Sequence, residues 1–180
     1  IGSFLAEGPE AIRNLVTTWA RALAGRNGNN GNGVAHGPSS LNTGDPAPQF
    51  ELPDLHGKTI SLAEFRDTET LILFWNPECG FCKRMLNDLR VWERSATKAE
   101  TRRLLIIAAG SPEANRAQDF LATVLLDPTF AVGHLFGVKG TPSALLISAD
   151  GKIASQVAVG ADQVFALAQT QKTQIKSAVA

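Results

Sequence analysis

Residues Thr70–Trp75 form a continuous apolar run of strand length. An unbroken run of this kind is typical of a strand whose two faces are both covered. Asn76-Pro77-Glu78 interrupts the run, and a helical pattern follows as far as about Ala96. The chain is therefore predicted to fold as an α/β protein in which helices flank a central sheet.

Strand and helix patterns continue to alternate along the rest of the chain. This alternation predicts parallel crossovers, and the Asp150-Gly151 turn signal predicts an antiparallel pair near the end. The central sheet is therefore expected to be mixed. The predicted strands are 104–108, 124–126, 144–148 and 152–159, the predicted helices begin at Ser111, at Phe130 and near Ala161, and a small N-terminal hairpin pairs 50–52 with 59–61.

Three regions are expected from the composition along the chain. Residues 1–24 carry apolar side chains at helical spacing and are predicted to form an amphipathic N-terminal helix. Residues 25–45 are rich in Gly, Asn, Ser and Pro, so we interpret them as a flexible linker. Residues 46–180 form the predicted main domain. The helix either packs on this domain or adjoins a membrane segment outside the printed chain, and both interpretations remain open.

The charge balance argues against a nucleic-acid partner. Seventeen Lys and Arg residues balance seventeen Asp and Glu residues, so the formal net charge is zero. Proteins that bind nucleic acid through its phosphates need a basic surface, which this balance does not indicate. Apolar residues make up 44% of the chain, which is typical of a globular protein rather than a disordered one.

The only two cysteines, Cys79 and Cys82, lie three positions apart. A disulfide that closes so short a loop would stabilise the fold by only about 2 kcal/mol, so a structural staple is a poor explanation. Zinc would need two further ligands, and the three histidines are scattered along the sequence. We therefore predict no metal site and no cofactor, and we favour redox chemistry.

The register of the helix after Trp75 separates the two cysteines. Cys82 lies on the apolar stripe that faces the core, whereas Cys79 lies one turn earlier, at the helix N-terminus. The unpaired amides and the dipole at that end of a helix stabilise a thiolate. Cys79 is therefore predicted to be the nucleophile, and the shielded Cys82 is predicted to resolve a mixed disulfide.

Two segments together resemble the thioredoxin superfamily: residues 74–83, which contain both cysteines, and residues 140–143, Gly-Thr-Pro-Ser, before an apolar strand. The lead-in at residues 44–54, followed by Gly57-Lys58, resembles the membrane-tethered, extracytoplasmic branch that includes the TlpA and ResA-like proteins. The resemblance covers residues 44–170. It implies a thioredoxin fold and a thiol-disulfide oxidoreductase activity.

The resemblance also implies further site residues. Thr141-Pro142 would be a cis-proline loop that faces the cysteines, and the Thr141 backbone would pair with an extended substrate segment. An ordinary turn proline is the alternative. Trp75 and Phe81 are expected to supply apolar surface around the site, and simple core packing is the alternative for an aromatic residue at a strand end.

Two positions depart from the commoner thioredoxin pattern. Leu73 stands where cytosolic thioredoxins have a buried carboxylate that helps to move the proton of the second cysteine, so that role is unassigned. Glu78 places a negative charge directly before Cys79, where the family often has Trp. Glu78 either opposes the helix dipole and disfavours the Cys79 thiolate, or is a solvated charge with little effect on that thiolate. Phe81 leaves the dipeptide between the cysteines without a cation of its own.

The function expected from the resemblance is exchange between this dithiol and protein cysteines, mainly as a reductant outside the cytoplasmic membrane. The start at Ile1 rather than Met leads us to expect a membrane-anchoring segment upstream, and a membrane partner is expected to supply electrons. Disulfide isomerase or oxidase activity and a non-catalytic CxxC binding module are the alternatives. A thiol peroxidase is disfavoured, because it would need Thr and Pro where this chain has Asn76 and Ile72.

Overall fold

A computed structural model describes residues 41–95 and 102–169. The predictions for residues 1–24 and 25–40 lie outside the described residues. Within the described segments the chain forms strands, α-helices and a 3-10 helix at Leu62–Phe65. The strands are β1 (Glu51–Pro53), β2 (Thr59–Ser61), β3 (Thr70–Trp75), β4 (Arg103–Ala108), β5 (Thr123–Leu126), β6 (Ser143–Ile147) and β7 (Ala158–Val159), and the helices are α1 (Gly80–Ser95), α2 (Pro112–Arg116), α3 (Ala131–Leu135) and α4 (Ala161–Gln169).

Five of the strands form one mixed sheet in the order β5-β4-β3-β6-β7. β3 pairs in parallel with β4, and β4 with β5, because α1 and α2 return the chain across the sheet between them. β3 pairs antiparallel with β6, and β6 with β7. The predicted α/β class, with a central mixed sheet flanked by helices, is confirmed.

β3 lies at the centre of the core, because all six of its residues are buried. Its side chains alternate between the two faces of the sheet. Ile72 and Phe74 join a cluster under the 3-10 helix and α3. Leu71, Leu73 and Trp75 join a second cluster under α1 and α4. Burial on both faces explains why the apolar run in the sequence is unbroken.

α1 is the longest described helix, with sixteen residues. Its buried face is formed by Cys82, Met85 and Leu89, which lie on the apolar stripe predicted from the sequence. Most of the remaining helix surface is polar, although Val91 is exposed. Among the described helices, none combines the length and apolar character needed to cross a bilayer.

β1 and β2 form the predicted N-terminal hairpin as a separate two-stranded sheet. The Asp54 carboxylate closes its turn by accepting hydrogen bonds from the amides of His56 and Lys58, at 2.8 and 2.9 Å. A bridge between Asp54 and Leu125 sets the hairpin beside β5. The hairpin therefore extends the domain at the outer side of the parallel strands.

Residues 41–45 contact the domain, although the composition predicts that the linker extends to Asp45. The Gly44 amide donates a hydrogen bond to the Ile153 carbonyl at 2.8 Å, and the Ile153 amide donates to the Asp45 carbonyl at 2.9 Å. Leu41 packs against the cluster under the 3-10 helix. Within the described residues, contacts of the main domain thus begin before Pro46.

The last strand is shorter than the predicted range of 152–159, because β7 contains only Ala158 and Val159. Ile153 makes an isolated bridge to β6. The Ser155 hydroxyl then accepts a hydrogen bond from the Leu146 amide at 2.9 Å. The Ser155 side chain thus accepts a hydrogen bond that a backbone carbonyl would accept in a continuous strand. The ladder of backbone hydrogen bonds with β6 is therefore interrupted here.

A tight corner precedes α3. The buried Asp127 carboxylate accepts hydrogen bonds from the amides of Ala131 and Val132, at 2.9 and 2.8 Å, and so caps the helix. Phe130 has a left-handed backbone, with φ of 58°. Its ring lies against Gly133, where an added β-carbon would approach the ring to 2.6 Å. A side chain at position 133 would therefore overlap the ring.

Replacing Gly133 with Ala is expected to lower the free energy of unfolding by about 1–3 kcal/mol. The ring of Phe130 has little room to move, because it packs edge-to-face on Phe74 with centroids 6.1 Å apart. Denaturant unfolding measures the change. Gly140→Ala is the matched control, since a β-carbon there would meet nothing within 4 Å. Equal stability of Gly133→Ala and the wild type would contradict this packing.

Candidate active site

The two cysteines lie where β3 meets α1. The carbonyl of Trp75, the last residue of β3, accepts the Ala109 amide at 2.9 Å. Asn76 then forms a turn, because its carbonyl accepts the Cys79 amide at 3.1 Å and its side chain accepts the Glu78 amide at 2.9 Å. The turn places Cys79 immediately before the first residue of α1.

The two thiols differ in exposure, and neither is in a disulfide. The Cys79 carbonyl accepts the Lys83 amide at 3.0 Å, so Cys79 occupies the N-cap position of α1, where it is partly exposed. Cys82 lies one turn further along the helix and is 0% exposed, in the cluster under α1 and α4. These positions agree with those predicted from the helical register.

A loop from a distant part of the chain meets Cys79. The Cys79 thiol donates a hydrogen bond to the Thr141 carbonyl oxygen at 3.2 Å. The Thr141–Pro142 peptide bond is cis, and Pro142 is buried. The Pro142 carbonyl accepts the Gly160 amide at 2.9 Å, which ties the loop to the start of α4. The structure thus brings Thr141, the residue before the cis-proline, to Cys79.

The surroundings of Cys79 favour its thiolate. Partial burial raises the pKa of Cys79, but the hydrogen bonds that its sulfur accepts outweigh burial and bring the pKa below its ordinary value. The strongest of these bonds comes from the Cys82 amide, and the Thr141 side chain and the Phe81 amide add to it. Both amides belong to the first turn of α1, where backbone donors have no partner within the helix.

Burial has the opposite effect on Cys82. It raises the pKa of Cys82 to about 12, because α1 and the sheet remove the thiol from water. The Asn76 amide and the Thr141 side chain favour the thiolate but do not compensate for burial, and the charge of an ionised Cys79 opposes it further. Cys79 is therefore the thiol that ionises, and Cys82 keeps its proton.

The position that carries a buried carboxylate in cytosolic thioredoxins is apolar here. Leu73 is 0% exposed and lies in the same cluster as Cys82. The proton of Cys82 therefore has to leave without a carboxylate at this position. Within residues 41–95 and 102–169, no group of three or more His, Cys, Asp or Glu side chains is placed to hold a metal ion.

The three residues predicted to tune the site lie in different environments. Glu78 is exposed directly before Cys79. Trp75 is fully buried and packs edge-to-face on Phe120, with centroids 5.3 Å apart. Trp75 therefore supplies core packing, which was the alternative interpretation, and no accessible surface. Phe81 is 65% exposed and does present apolar surface beside the cysteines.

Arg84 is a neighbour of the site that the sequence reasoning missed. Its guanidinium lies over the Phe81 ring, 4.5 Å from the centroid. Its Nη1 atom would be 3.8 Å from a β-carbon added at Gly80, so the side chain runs back over the first turn of α1. The dipeptide between the cysteines contains no cation, but Arg84 places one over it. The available signal was the i, i+3 spacing of Phe81 and Arg84 on a helix.

Single-cysteine variants are expected to ionise at very different pH. Cys82→Ser should leave a Cys79 thiol whose pKa is below that of an ordinary cysteine. Cys79→Ser should leave a Cys82 thiol whose pKa stays strongly raised, because burial is the main cause and persists. The rate of alkylation by iodoacetamide as a function of pH measures both values. Each variant unfolded in denaturant is its own control, and equal pKa values in the folded variants would contradict the assignment.

The site lies in the part of the chain that resembles known proteins. The model of the AhpC/TSA family matches residues 43–156, a segment that includes both cysteines and the Thr141–Pro142 loop. The matched segment is more than half of the chain.

Two groups of curated relatives align with the same region. Methylamine utilization protein MauD from Paracoccus denitrificans is 30% identical over 123 residues, which are 66% of this chain and 58% of MauD. Thiol-disulfide oxidoreductase ResA from Bacillus subtilis (strain 168) is 27% identical over 137 residues, which are 70% of this chain and 73% of ResA. The chain thus spans less than two thirds of the length of the MauD relatives.

Solved structures confirm the predicted thioredoxin fold. A putative thiol:disulfide interchange protein DsbE from Chlorobium tepidum is 25% identical, with a TM-score of 0.60, over 71% of this chain and 99% of that chain. A putative thioredoxin from Neisseria meningitidis is 33% identical, with a TM-score of 0.54, over 64% of this chain and 81% of that chain. With the family match, these likenesses show that the chain belongs to the AhpC/TSA family, as a thioredoxin-fold member similar to ResA and MauD.

Proposed function

We propose that this protein is a thiol-disulfide oxidoreductase that exchanges the Cys79 and Cys82 thiols with disulfides of other proteins. The observation that carries the proposal is the different placement of two neighbouring thiols, with Cys79 partly exposed before α1 and Cys82 fully buried. Hydrogen bonds lower the pKa of Cys79, and burial raises the pKa of Cys82 to about 12. A partly exposed nucleophile followed by a shielded thiol is what reversible dithiol exchange requires. The likeness to ResA supports the same chemistry.

The first step is attack by the Cys79 thiolate on one sulfur of a client disulfide. A bond forms between Cys79 and the client, the client disulfide breaks, and the leaving sulfur takes a proton from solvent. Before the step, the protonated Cys79 thiol donates to the Thr141 carbonyl at 3.2 Å. Ionisation removes that donor, so the Thr141 carbonyl becomes available to a backbone amide of the client.

The second step is attack by Cys82 on the Cys79 sulfur. A disulfide forms between the two cysteines, and the second client sulfur leaves and takes a proton, so that two electrons and two protons pass to the client in all. Because the pKa of Cys82 is raised to about 12, its proton has to leave as the new bond forms. The Asn76 amide favours negative charge on this sulfur.

Thr141 and Pro142 are the client-binding residues of this proposal. Thr141 is partly exposed next to the nucleophile, and Pro142 is fixed by its bond to the Gly160 amide. The loop leads directly into β6. An extended client segment that pairs with the Thr141 backbone would therefore be held beside Cys79.

The direction that we propose is reduction of protein disulfides outside the cytoplasmic membrane. Glu78 places an exposed negative charge beside Cys79, which works against the hydrogen bonds that stabilise the thiolate, and a less stabilised thiolate makes the dithiol a better electron donor. The oxidised domain is then reduced again by a dithiol of a membrane partner, and a segment outside the printed sequence anchors the protein to the membrane. The similarity to ResA supports thiol-disulfide exchange, and oxidase or isomerase activity is the alternative direction.

A thiol peroxidase is not proposed. Such an enzyme on this fold would need Thr in place of Asn76, three residues before the nucleophile. In this chain the Asn76 side chain instead accepts the Glu78 amide at 2.9 Å, as part of the turn before α1. The Asn76 side chain is therefore hydrogen-bonded to the backbone and is not placed to bind a peroxide.

Replacing Cys82 with Ser is expected to trap mixed disulfides between Cys79 and client proteins, because the resolving thiol is missing. Cys79→Ser should trap none, since the remaining thiol is buried and has a raised pKa. Non-reducing gel electrophoresis of each variant after incubation with oxidised insulin or a scrambled-disulfide protein shows the adducts. The variant that lacks both thiols is the control. Equal trapping by the two single variants would refute the assigned roles.

Glu78→Gln is expected to lower the pKa of Cys79 by less than about one pH unit, because the carboxylate beside the thiolate is exposed and well screened. Asp88→Asn is the matched control, since Asp88 is an exposed carboxylate further along α1. The pH dependence of Cys79 alkylation in the Cys82→Ser background measures the effect. An unchanged or higher pKa of Cys79 in Glu78→Gln would show that Glu78 does not destabilise the thiolate.

A further inference from the structure

The first turn of α1 presents a positive charge in a fixed position beside the nucleophile. The Arg84 guanidinium stacks on the Phe81 ring, 4.5 Å from its centroid, and Nη1 reaches back toward Gly80. Phe81 is 65% exposed, so the stacked pair lies on the surface rather than in the core. Stacking on an aromatic ring restricts the rotamers of a long side chain before any partner arrives.

The hydrogen-bond donors of Arg84 are available to another molecule. The ion pairs within residues 41–95 and 102–169 involve the bases Arg94, Arg102, Arg116 and Lys152, and Arg84 is not among them. A guanidinium offers a planar set of donors that matches the two oxygens of a carboxylate. The group that best fits this position is therefore a carboxylate.

The charges around the nucleophile favour an acidic partner. Within five residues of Cys79 the sequence has two basic side chains, Lys83 and Arg84, and one acidic side chain, Glu78. Lys139, two residues before Thr141, is exposed and adds a third base near the loop. The chain as a whole has zero formal net charge, so the positive excess is a local feature.

We propose that the stacked pair of Phe81 and Arg84 is a docking surface for client segments that carry an Asp or Glu next to the cysteine under attack. The inference rests on the proposed function and names its preferred substrates. Arg84 acts as a specificity-determining residue: it binds the client carboxylate and takes no part in the exchange of electrons. The Phe81 ring holds the guanidinium in place and contacts the apolar part of the client segment.

Two cyclic peptide disulfides test the proposal, one with Asp and one with Asn beside the same cysteine. The wild type should reduce the Asp peptide with a kcat/KM about two- to fivefold higher at low ionic strength, the size of effect expected for an exposed ion pair. The preference should disappear at high salt, because screening weakens such pairs. It should also disappear in Arg84→Gln, which should reduce the Asp and Asn peptides at equal rates.

Two further variants separate this surface from a general effect of charge. Lys83→Gln removes an adjacent charge and leaves the stacking of Arg84 on Phe81 in place, so it should keep most of the preference. Phe81→Ala should reduce the preference, because the guanidinium loses its support. If Arg84 instead acted only on the ionisation of Cys79, Arg84→Gln would slow both peptides by the same factor.

The failures of the two proposals can be told apart. Reduction of both peptides at equal rates by the wild type, or an Asp preference that survives in Arg84→Gln, would overturn the docking surface and leave the oxidoreductase activity intact. An equal loss of preference in Lys83→Gln and Arg84→Gln would also overturn it. The preference would then come from the summed positive charge around the site and not from the stacked Arg84. Reduction of neither peptide, with no activity toward insulin, would contradict the oxidoreductase activity itself and remove the basis of the inference.

Discussion

The turn at Asn76 joins a strand that is buried on both faces to a helix that has one exposed face. Its carbonyl and side chain accept the amides of Cys79 and Glu78, so the chain changes direction without leaving these donors unpaired. The chemistry of the site depends on this change of direction. Cys79 stays at the open start of α1, and Cys82 enters the core. One residue more or fewer would rotate the helix by about 100° and turn Cys82 away from the core.

The topology of the sheet supplies the second half of the site. β6 runs antiparallel to β3, and Phe74 near the end of β3 pairs with Ser143 at the start of β6. The loop before β6 must therefore lie beside the turn after β3. This register brings Thr141 within 3.2 Å of Cys79, although 62 residues separate them along the chain. A strand pairing thus positions the group that contacts the nucleophile.

The pattern of apolar residues in the sequence predicted the strands and helix faces whose position depends on burial alone. The bounds of β3 follow from its apolar run, and the helical period was enough to separate the exposed thiol from the buried one. The predicted strand at 152–159 failed because the Ser155 hydroxyl replaces a backbone partner, which no hydrophobic pattern reveals. The burial of Trp75 depends on packing between elements, which the sequence pattern does not show. The i, i+3 spacing of Phe81 and Arg84 allows their contact, but the rotamers of the two side chains decide whether it forms.

The central claim is that Cys79 and Cys82 act as one reversible dithiol with a reducing potential. Equilibration of the purified protein with mixtures of reduced and oxidised glutathione, followed by acid quenching and mass analysis, tests it most directly. The account predicts an intramolecular disulfide that forms in a single two-electron transition, with a potential nearer to that of thioredoxin, about −270 mV, than to that of DsbA, about −120 mV. Separate glutathione adducts without the intramolecular disulfide, or a potential near about −120 mV, would contradict it.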